Sequence, residues 1–155
     1  MKNENKFKFF SSWSGGKDSC LALYYALKNG GQARKLLTML VDDGKRSRSH
    51  GLSIDLLNKQ AESLNIPIIT ANTSWNDYEN NFKNLLKKIR SEGIYTGVFG
   101  DIDLEEHREW VERVCAEVDM EARLPLWQMK RREVMEKFIE LGFKAEIIVV
   151  KEEEL

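Results

Sequence analysis

The sequence is poor in cysteine, in proline and in long apolar runs, and each scarcity excludes a class of protein. It has two Cys and two Pro in 155 residues. Cys20 and Cys115 lie far apart and form no C-x-x-C pair, which argues against a zinc ribbon, an iron–sulfur site and a disulfide scaffold. No apolar stretch reaches the roughly 18 residues of a membrane span, and the polar start lacks a signal-peptide core. We therefore expect a cytoplasmic protein with no membrane partner.

A charge excess of either sign is also missing. The 24 Lys and Arg residues nearly balance the 25 Asp and Glu residues, for a net charge of -1. No global field draws such a chain onto nucleic acid, so any recognition of a polyanion has to be local. What the sequence does contain is 42% hydrophobic residues, enough for one core, and its length predicts a single domain spanning residues 1–155.

Short apolar runs alternate with amphipathic helical patterns at roughly the ~30-residue spacing of βαβ units. This pattern predicts an α/β fold with a doubly wound parallel sheet of about five strands, in the order β-α-β-α-β-α-β-α-loop-α-β. Ligands of such sheets bind beyond the carboxyl ends of the strands. The expected strands are Phe7–Trp13, Leu36–Val41, Ile66–Ala71, Tyr95–Phe99 and Ala145–Val150.

The first expected strand runs directly into Ser14-Gly15-Gly16-Lys17-Asp18-Ser19, which also opens the first expected helix. Two glycines permit a tight turn and a close backbone approach to a ligand, and the N–H groups of a helix N-terminus favour anions. The serines add hydroxyl donors and Lys17 adds a positive charge. These features predict a phosphate-binding loop. The segment fits neither G-x-x-x-x-G-K-[ST] nor G-x-G-x-x-G, which disfavours a P-loop kinase and a nicotinamide-binding enzyme.

The string S-G-G-K-D-S resembles the PP-loop of the ATP pyrophosphatase superfamily. Members of that superfamily cleave ATP between the α- and β-phosphates and activate a substrate as its adenylate. The resemblance implies an adenine nucleotide alpha hydrolase-like fold, of the HUP or Rossmann-like kind, with ATP and Mg²⁺ as cofactors. The expected nucleotide-binding residues are Ser14, Gly15, Gly16, Lys17, Asp18 and Ser19, together with His50 near the adenine and Gly100 against the nucleotide.

A closer resemblance lies in the second half. Gly100-Asp101-Ile102 follows the fourth expected strand, the helical segment 105–115 reads EEHREWVERVC, and Pro125-Leu126-Trp127 follows later. With the His50-Gly51 junction and the segment Gln60 to Pro67, this looks like the diphthine–ammonia ligase family, which amidates a modified histidine of translation elongation factor 2. The resemblance covers the chain from about Phe9 to Val150.

That resemblance implies an ATP-dependent ligase. The acceptor is a carboxylate, which in the family belongs to the modified histidine of elongation factor 2. It is activated as an acyl-adenylate with release of pyrophosphate, and free ammonia then forms the amide. A PP-loop tRNA-modifying enzyme is the nearest alternative, but its thiolating members carry paired cysteines, and this chain has no broad basic footprint for tRNA. A non-catalytic ATP-binding module is the other alternative.

Two carboxylates are the candidate catalytic residues. An ionised Asp18 has no proton to donate to phosphate oxygens, so it is either a Mg²⁺ ligand or a first-turn carboxylate that complements the helix dipole. Asp101 follows the fourth expected strand and either binds metal, orients the incoming amine or caps the next helix.

The acceptor residues implied by the resemblance are Asp101, Glu105, Arg108 and Trp127. Glu105 and Arg108 also fit a simple surface ion pair, and Trp127 also fits core packing. A lone helix histidine is more often structural than catalytic, so His107 receives no catalytic role.

Family members usually continue beyond the strand expected at Ala145–Val150, so we expect a C-terminal part of the usual extent to be missing here. An apolar strand at a sheet edge favours association, which predicts a homodimer or an exchanged segment. The alternative is an interior strand followed by a solvated acidic tail.

Overall fold

Five parallel strands form the centre of the computed structural model, which describes residues 6–154. The sheet order is β3-β2-β1-β4-β5, so the predicted doubly wound α/β fold is confirmed. β1 leads to β2 and β3 on one side and pairs with β4 on the other, which puts the topological switch point between β1 and β4. The strands are β1 (Phe7–Ser12), β2 (Gly31–Leu40), β3 (Ile68–Asn72), β4 (Thr96–Val98) and β5 (Glu121–Arg123).

Helices cover both faces of this sheet. Phe9 and Phe10, neighbours on β1, belong to two different core clusters because alternate side chains of a strand point to opposite faces. One cluster includes buried residues of α1 (Lys17–Lys28), α2 (Ile54–Leu64) and α5 (Arg131–Glu140). The other includes those of α3 (Tyr78–Ser91) and α4 (Glu105–Glu117).

The last strand is not where the apolar pattern predicted it. Ala145–Val150 forms no strand, and the fifth strand is instead the short edge segment Glu121–Arg123, whose register with β4 runs from Thr96↔Glu121 to Val98↔Arg123. The order is therefore β-α-β-α-β-α-β-α-β-α. Glu121 and Arg123 are exposed, and Arg123 Nε donates to the Glu121 carboxylate at 2.6 Å. Charged residues are common on edge strands, so an alternating apolar pattern does not predict this strand.

The segment expected as the last strand lies on the surface. Ile147 and Val149 are 81% and 79% exposed, and Ile148 and Val150 are exposed as well. A run of β-formers becomes a strand only beside another backbone, and within residues 6–154 this run has no strand partner. The apolar edge strand on which the predicted homodimer rested is therefore not formed by residues 145–150, and an exposed apolar segment lies there instead.

Helix termini follow the signals in the sequence. Ser53 caps α2 by accepting a hydrogen bond from the Leu56 N–H at 3.2 Å. Gly93 and Gly142 follow the last residues of α3 and α5 with φ of 86° and 88°, as expected for glycines that end helices. None of the helices between residues 6 and 154 has the length and apolar character needed to cross a bilayer.

Candidate active site

The predicted phosphate loop lies at the switch point, between the end of β1 and the first turn of α1. Gly15 has a φ of 81°, a conformation that only glycine adopts without strain. Gly16 is the N-cap of α1 and supplies no side chain to cap it. Because the first N–H groups of an α-helix have no partner within the helix, this end of α1 offers backbone donors to an anion.

The loop's own hydroxyls hold its shape. Ser14 Oγ lies 3.1 Å from Ser19 Oγ and accepts from the Gly16 N–H at 3.2 Å, while Ser19 Oγ donates to the Gly16 carbonyl at 3.2 Å. Ser19 is buried, and the ammonium of Lys17 pairs with Asp18 at 3.1 Å. All six predicted loop residues thus come together in a compact turn, with the Lys17 and Asp18 side chains partly exposed.

Two residues later in the chain, His50 and Gln60, pack against this loop. A side chain at Gly16 would come within 2.7 Å of His50 Nε2, so the predicted nucleotide residue His50 lies directly against the loop. Gln60 of α2 was not predicted as a site residue. Its Oε1 accepts from Trp13 Nε1 at 2.9 Å, and a side chain at Gly15 would meet the same Oε1 at 2.8 Å. Gln60 therefore links α2 to the loop through these contacts.

Gly100 packs against protein backbone. A Cβ there would lie 2.9 Å from the Asp18 carbonyl carbon and 3.0 Å from the Ser19 nitrogen. The absence of a side chain lets the end of β4 approach the first turn of α1. In this structure Gly100 makes room for the first turn of α1, and its expected contact with the nucleotide stays a prediction.

Asp101 follows at the same edge of the sheet and is half-buried. Its Oδ1 lies 3.4 Å from Nδ1 of His107, one turn into α4. Burial raises the pKa of the Asp101 carboxyl, while the imidazole of His107 opposes that rise, and the negative charge of Asp18 adds slightly to it. The charge of Asp18 thus acts on Asp101, but burial and His107 have the larger effects on the pKa of Asp101.

A cleft of about 600 Å³ opens beside Asp101, between α3 and α4. Its volume is typical of small-molecule sites. Asp101 and His107 line it, and five of its eleven lining residues are aromatic. The remaining lining residues are Ser12, Ser49, Trp75, Tyr78, Glu79, Phe82, Phe99, Trp110 and Val111.

The predicted acceptor residues Glu105, Arg108 and Trp127 lie together outside that lining. Arg108 pairs with Glu105 at 2.8 Å, and its guanidinium lies 5.0 Å from the centroid of the Trp127 ring. Helical geometry explains the separation, because His107 and Val111 share one face of α4 and Glu105 and Arg108 lie on another. Of the four predicted acceptor residues, the structure puts only Asp101 in the cleft.

An ionic network joins the two helical walls of the cleft. Glu79 of α3 accepts from Trp110 Nε1 at 3.2 Å and pairs with Arg113 of α4 at 2.6 Å and with Lys83 at 2.7 Å. Lys83 and Arg113 both also pair with Glu117. Hydrogen bonds from Arg113 and then Lys83 lower the pKa of Glu79 to about 2. Hydropathy patterning does not reveal this network, because its residues look like an ordinary solvated surface.

Solved structures share this fold. A 4-thiouridine synthetase, solved in complex with RNA and with bound ATP, is 19% identical with a TM-score of 0.63, and the alignment covers 88% of this chain and 41% of that one. A predicted subunit of tRNA methyltransferase from Methanocaldococcus jannaschii is 16% identical with a TM-score of 0.56, covering 86% and 76%. The chain thus spans less than half of the synthetase. At these identities the likeness concerns the fold alone.

Sequence comparison shows the family. No curated protein matches the sequence significantly. Residues 7–122, which run from the start of β1 into β5 and include the phosphate loop, His50 and Asp101, match the family described as Diphthamide synthase N-terminal domain. With about three quarters of its length in that match, the chain belongs to the diphthamide synthase N-terminal domain family, a family of the PP-loop superfamily.

Proposed function

We propose that residues 1–155 form one ATP-binding domain that activates a carboxylate as its acyl-adenylate, releases pyrophosphate and forms an amide with ammonia. The observation that carries the proposal is the uncapped N-terminus of α1, preceded by the S-G-G-K-D-S turn at the switch point of the sheet. Membership of the diphthamide synthase N-terminal domain family supports this reaction type, and the modified histidine of elongation factor 2 is the acceptor that it suggests.

In this reaction the loop has to bind the leaving pyrophosphate. Backbone N–H groups of the α1 terminus, the Ser14 and Ser19 hydroxyls and the Lys17 ammonium are the donors that would take its oxygens. To do so the serines give up the hydrogen bonds that they make to each other. A carboxylate oxygen of the acceptor would attack the α-phosphorus, the bond to the β-phosphate would break and pyrophosphate would leave, which gives the acyl-adenylate. Ammonia would then attack the acyl carbon, lose a proton and release AMP.

Asp18 is the residue that would hold Mg²⁺. Among residues 6–154 no three His, Cys, Asp or Glu side chains are grouped to hold a metal by themselves. Mg²⁺ that serves nucleotides is usually bound by one or two carboxylates together with substrate phosphates, so a single carboxylate in the first turn of α1 fits that donor set. The ion would supply charge neutralisation for the leaving pyrophosphate.

Asp101 is the residue that would act on the incoming amine. It lies beside the loop, through the contact of Gly100 with the first turn of α1, and it also lines the cleft. A half-buried carboxylate there can accept a hydrogen bond from an amine nucleophile and hold it near the α-phosphate edge of the site. Glu105, Arg108 and Trp127 form a second cluster on α4 that could contact a large acceptor outside the cleft.

The two cysteine thiols argue against tRNA thiolation, the reaction of the tRNA-modifying alternative. Thiolation by a protein's own cysteine needs an accessible thiolate. Burial raises the pKa of Cys115 to about 12 and also raises the pKa of Cys20, which lies within α1. Neither thiol suits a sulfur carrier, and this favours the amide-forming reaction over thiolation.

Calorimetric titration with ATP, with and without Mg²⁺, tests the nucleotide site. We expect Asp18→Asn to lose most of the increase in ATP affinity that Mg²⁺ gives to the original sequence, on the order of tenfold, because a metal ligand is removed. Asp55→Asn is the matched control, since Asp55 is also the second residue of a helix and is exposed. If both variants respond to Mg²⁺ like the original sequence, Asp18 is only a helix-dipole carboxylate.

ATP–pyrophosphate exchange in the presence of carboxylate-bearing peptides then tests the reaction. An adenylate-forming enzyme returns labelled pyrophosphate to ATP before any amine is added. Exchange that depends on the acceptor, followed by amide formation on addition of ammonia, is the expected result. ATP binding without exchange for any acceptor would favour the non-catalytic module.

A further inference from the structure

The peptide between Gly15 and Gly16 determines what the phosphate loop presents to an anion. In a trans peptide the carbonyl oxygen and the N–H point in opposite directions, so one side of this peptide attracts an anion and the other repels it. The Gly16 N–H donates to Ser14 Oγ at 3.2 Å, on the side where the hydroxyls of the loop lie. Glycines lack the Cβ atoms that hinder rotation of the peptide between them, so the loop's own sequence does not fix this orientation.

Gln60 of α2 lies on the carbonyl side of that peptide. Its side-chain Nε2 donates to the Gly15 carbonyl oxygen over a long distance of 3.5 Å, and its Oε1 accepts from Trp13 Nε1 at 2.9 Å. Because an indole N–H is only a donor, it keeps the amide oxygen of Gln60 towards Trp13 and the amide NH2 towards Gly15. A rotated peptide would turn the Gly16 N–H towards that NH2, and two donors would then face each other.

Trp13 is itself held by the sheet. Only 5% of it is exposed, and its backbone N–H donates to the Leu37 carbonyl of β2 at 2.8 Å. Leu52 closes the same side of the loop, since a Cβ at Gly15 would lie 2.5 Å from Leu52 Cδ1 and 2.8 Å from Gln60 Oε1. The Gln60 amide therefore has one orientation, which the sheet sets through Trp13.

We propose that Gln60 is a positioning residue for the proposed reaction, and that it keeps the Gly15–Gly16 peptide with its N–H towards the phosphate oxygens of ATP. The inference rests on the proposed function for the identity of the anion, while the effect of Gln60 on the peptide concerns the free protein as well. Without the amide the peptide is free to rotate, and a rotated Gly15 carbonyl accepts from the loop's hydroxyls. ATP then binds more weakly, because only molecules with the N–H in place are competent.

Gln60→Met removes the amide and nearly keeps the volume of the side chain. We expect ATP affinity, measured by calorimetric titration, to fall by about threefold to tenfold as the competent fraction decreases. In NMR spectra of the free protein, the Gly16 amide proton should show a nuclear Overhauser contact with the Ser14 side chain, and the variant should lose it. Asn58→Leu is the matched control, since it replaces an exposed amide of α2 with an apolar side chain of similar volume. It should change neither measurement.

Gln60→Glu separates the orientation of the peptide from the packing of the side chain. A glutamate keeps the length and still accepts from the Trp13 indole, but an ionised carboxylate has no proton to donate to the Gly15 carbonyl. We expect the Trp13 indole N–H signal to stay close to its original position, the Gly16 contact to be lost and ATP affinity to fall by at least about tenfold. Asn58→Asp makes the same change of charge at an exposed position of α2 and should bind ATP like the original sequence.

Thermal melts identify a variant that has failed to fold, and if Gln60→Met does so, Gln60→Glu decides. An ATP affinity like that of the original sequence in a folded variant overturns the positioning role. An intact Gly16 contact in a variant that has lost affinity overturns it as well, because Gln60 then acts by another route. The proposed function fails separately: if the original sequence binds no ATP, that function is wrong, and the Gly16 contact in the free protein still decides whether Gln60 orients the peptide.

Discussion

Gly100 lies where a side chain would overlap the backbone of α1, and this makes it a sensitive position for the phosphate site. Its Cβ would meet the Asp18 carbonyl carbon at 2.9 Å, and backbone atoms cannot move aside as a side chain can. We expect Gly100→Ala to destabilise the protein by about 1–3 kcal/mol and to weaken ATP binding, because the helix end has to shift. Urea unfolding and ATP titration measure the two effects.

Gly93→Ala is the control for that variant. Gly93 has a φ of 86° with open space around it, so alanine there costs about 1–2 kcal/mol from backbone conformation alone. It lies at the end of α3, outside the loop and the cleft. Equal stability loss in both variants with ATP binding reduced only in Gly100→Ala supports the steric argument. Unchanged ATP binding in Gly100→Ala contradicts it.

The residues of the site differ in how far the sequence could reveal them. The loop 14–19 is contiguous, so its position between β1 and α1 and its tight turn at Gly15 were predictable, while its binding of phosphate stays a prediction. Gln60 and Glu79 reach the site from α2 and α3, and their roles depend on a tertiary arrangement that the local sequence does not encode. Glu105 and His107 are two residues apart on α4, and only the rotation of that helix decides which one lines the cleft.

At the scale of elements, α3 and α4 are held together by Glu79, Lys83, Arg113 and Glu117. The folded protein holds the pKa of Glu79 at about 2, below the roughly 4.3 of an unfolded chain. A lowered pKa stabilises the fold above the unfolded value, and that contribution is lost as the pH falls from about 4.5 to about 2. We expect the melting temperature to fall across this window.

Glu79→Gln should flatten that acid dependence and lower stability at pH 7 by at most about 1 kcal/mol, since the Glu79 side chain is partly solvated. Thermal melts between pH 2 and pH 7 measure it, with Glu106→Gln as the control outside the network. Some slope should remain, because hydrogen bonds from Lys83 and Arg113 also lower the pKa of Glu117. An acid slope as steep as that of the original sequence would show that Glu79 is not coupled to folding.

Elements with strong periodicity were predictable and the last strand was not. Four strands lie close to the predicted segments, and the five helices of the predicted order are present, because their apolar residues face a core. β2 begins five residues earlier than predicted, since its polar start Gly31–Lys35 is held by pairing with β1. β5 is three residues long with charges at both ends. Short edge strands depend on a neighbouring backbone for their formation, and the composition of the strand itself carries little signal.

At the scale of the whole molecule, the balanced charge is compatible with the proposed phosphate site. The loop is built from backbone donors and one lysine, so no basic surface is required for a phosphate ligand. The adjacent cleft carries carboxylates and rings. The loop and the cleft therefore lie close together at one edge of the sheet, where Asp101 lines the cleft directly after Gly100, which contacts the first turn of α1.

The exposed segment 147–150 is the part of the described surface that favours self-association. Its four apolar side chains are exposed together, with Ile147 and Val149 pointing furthest into solvent, and a contiguous apolar patch of this kind promotes contact between copies. We expect a concentration-dependent dimer, and we expect Ile147→Ser with Val149→Ser to shift it towards monomer without changing the melting temperature of the monomer. Sedimentation velocity over a range of concentrations measures the shift.

A matched variant with Leu27→Ser removes an exposed apolar side chain on α1 instead, and it should leave the association unchanged. If the double variant dimerises like the original sequence, the association uses another surface, and if neither associates, the segment is solvated in a monomer.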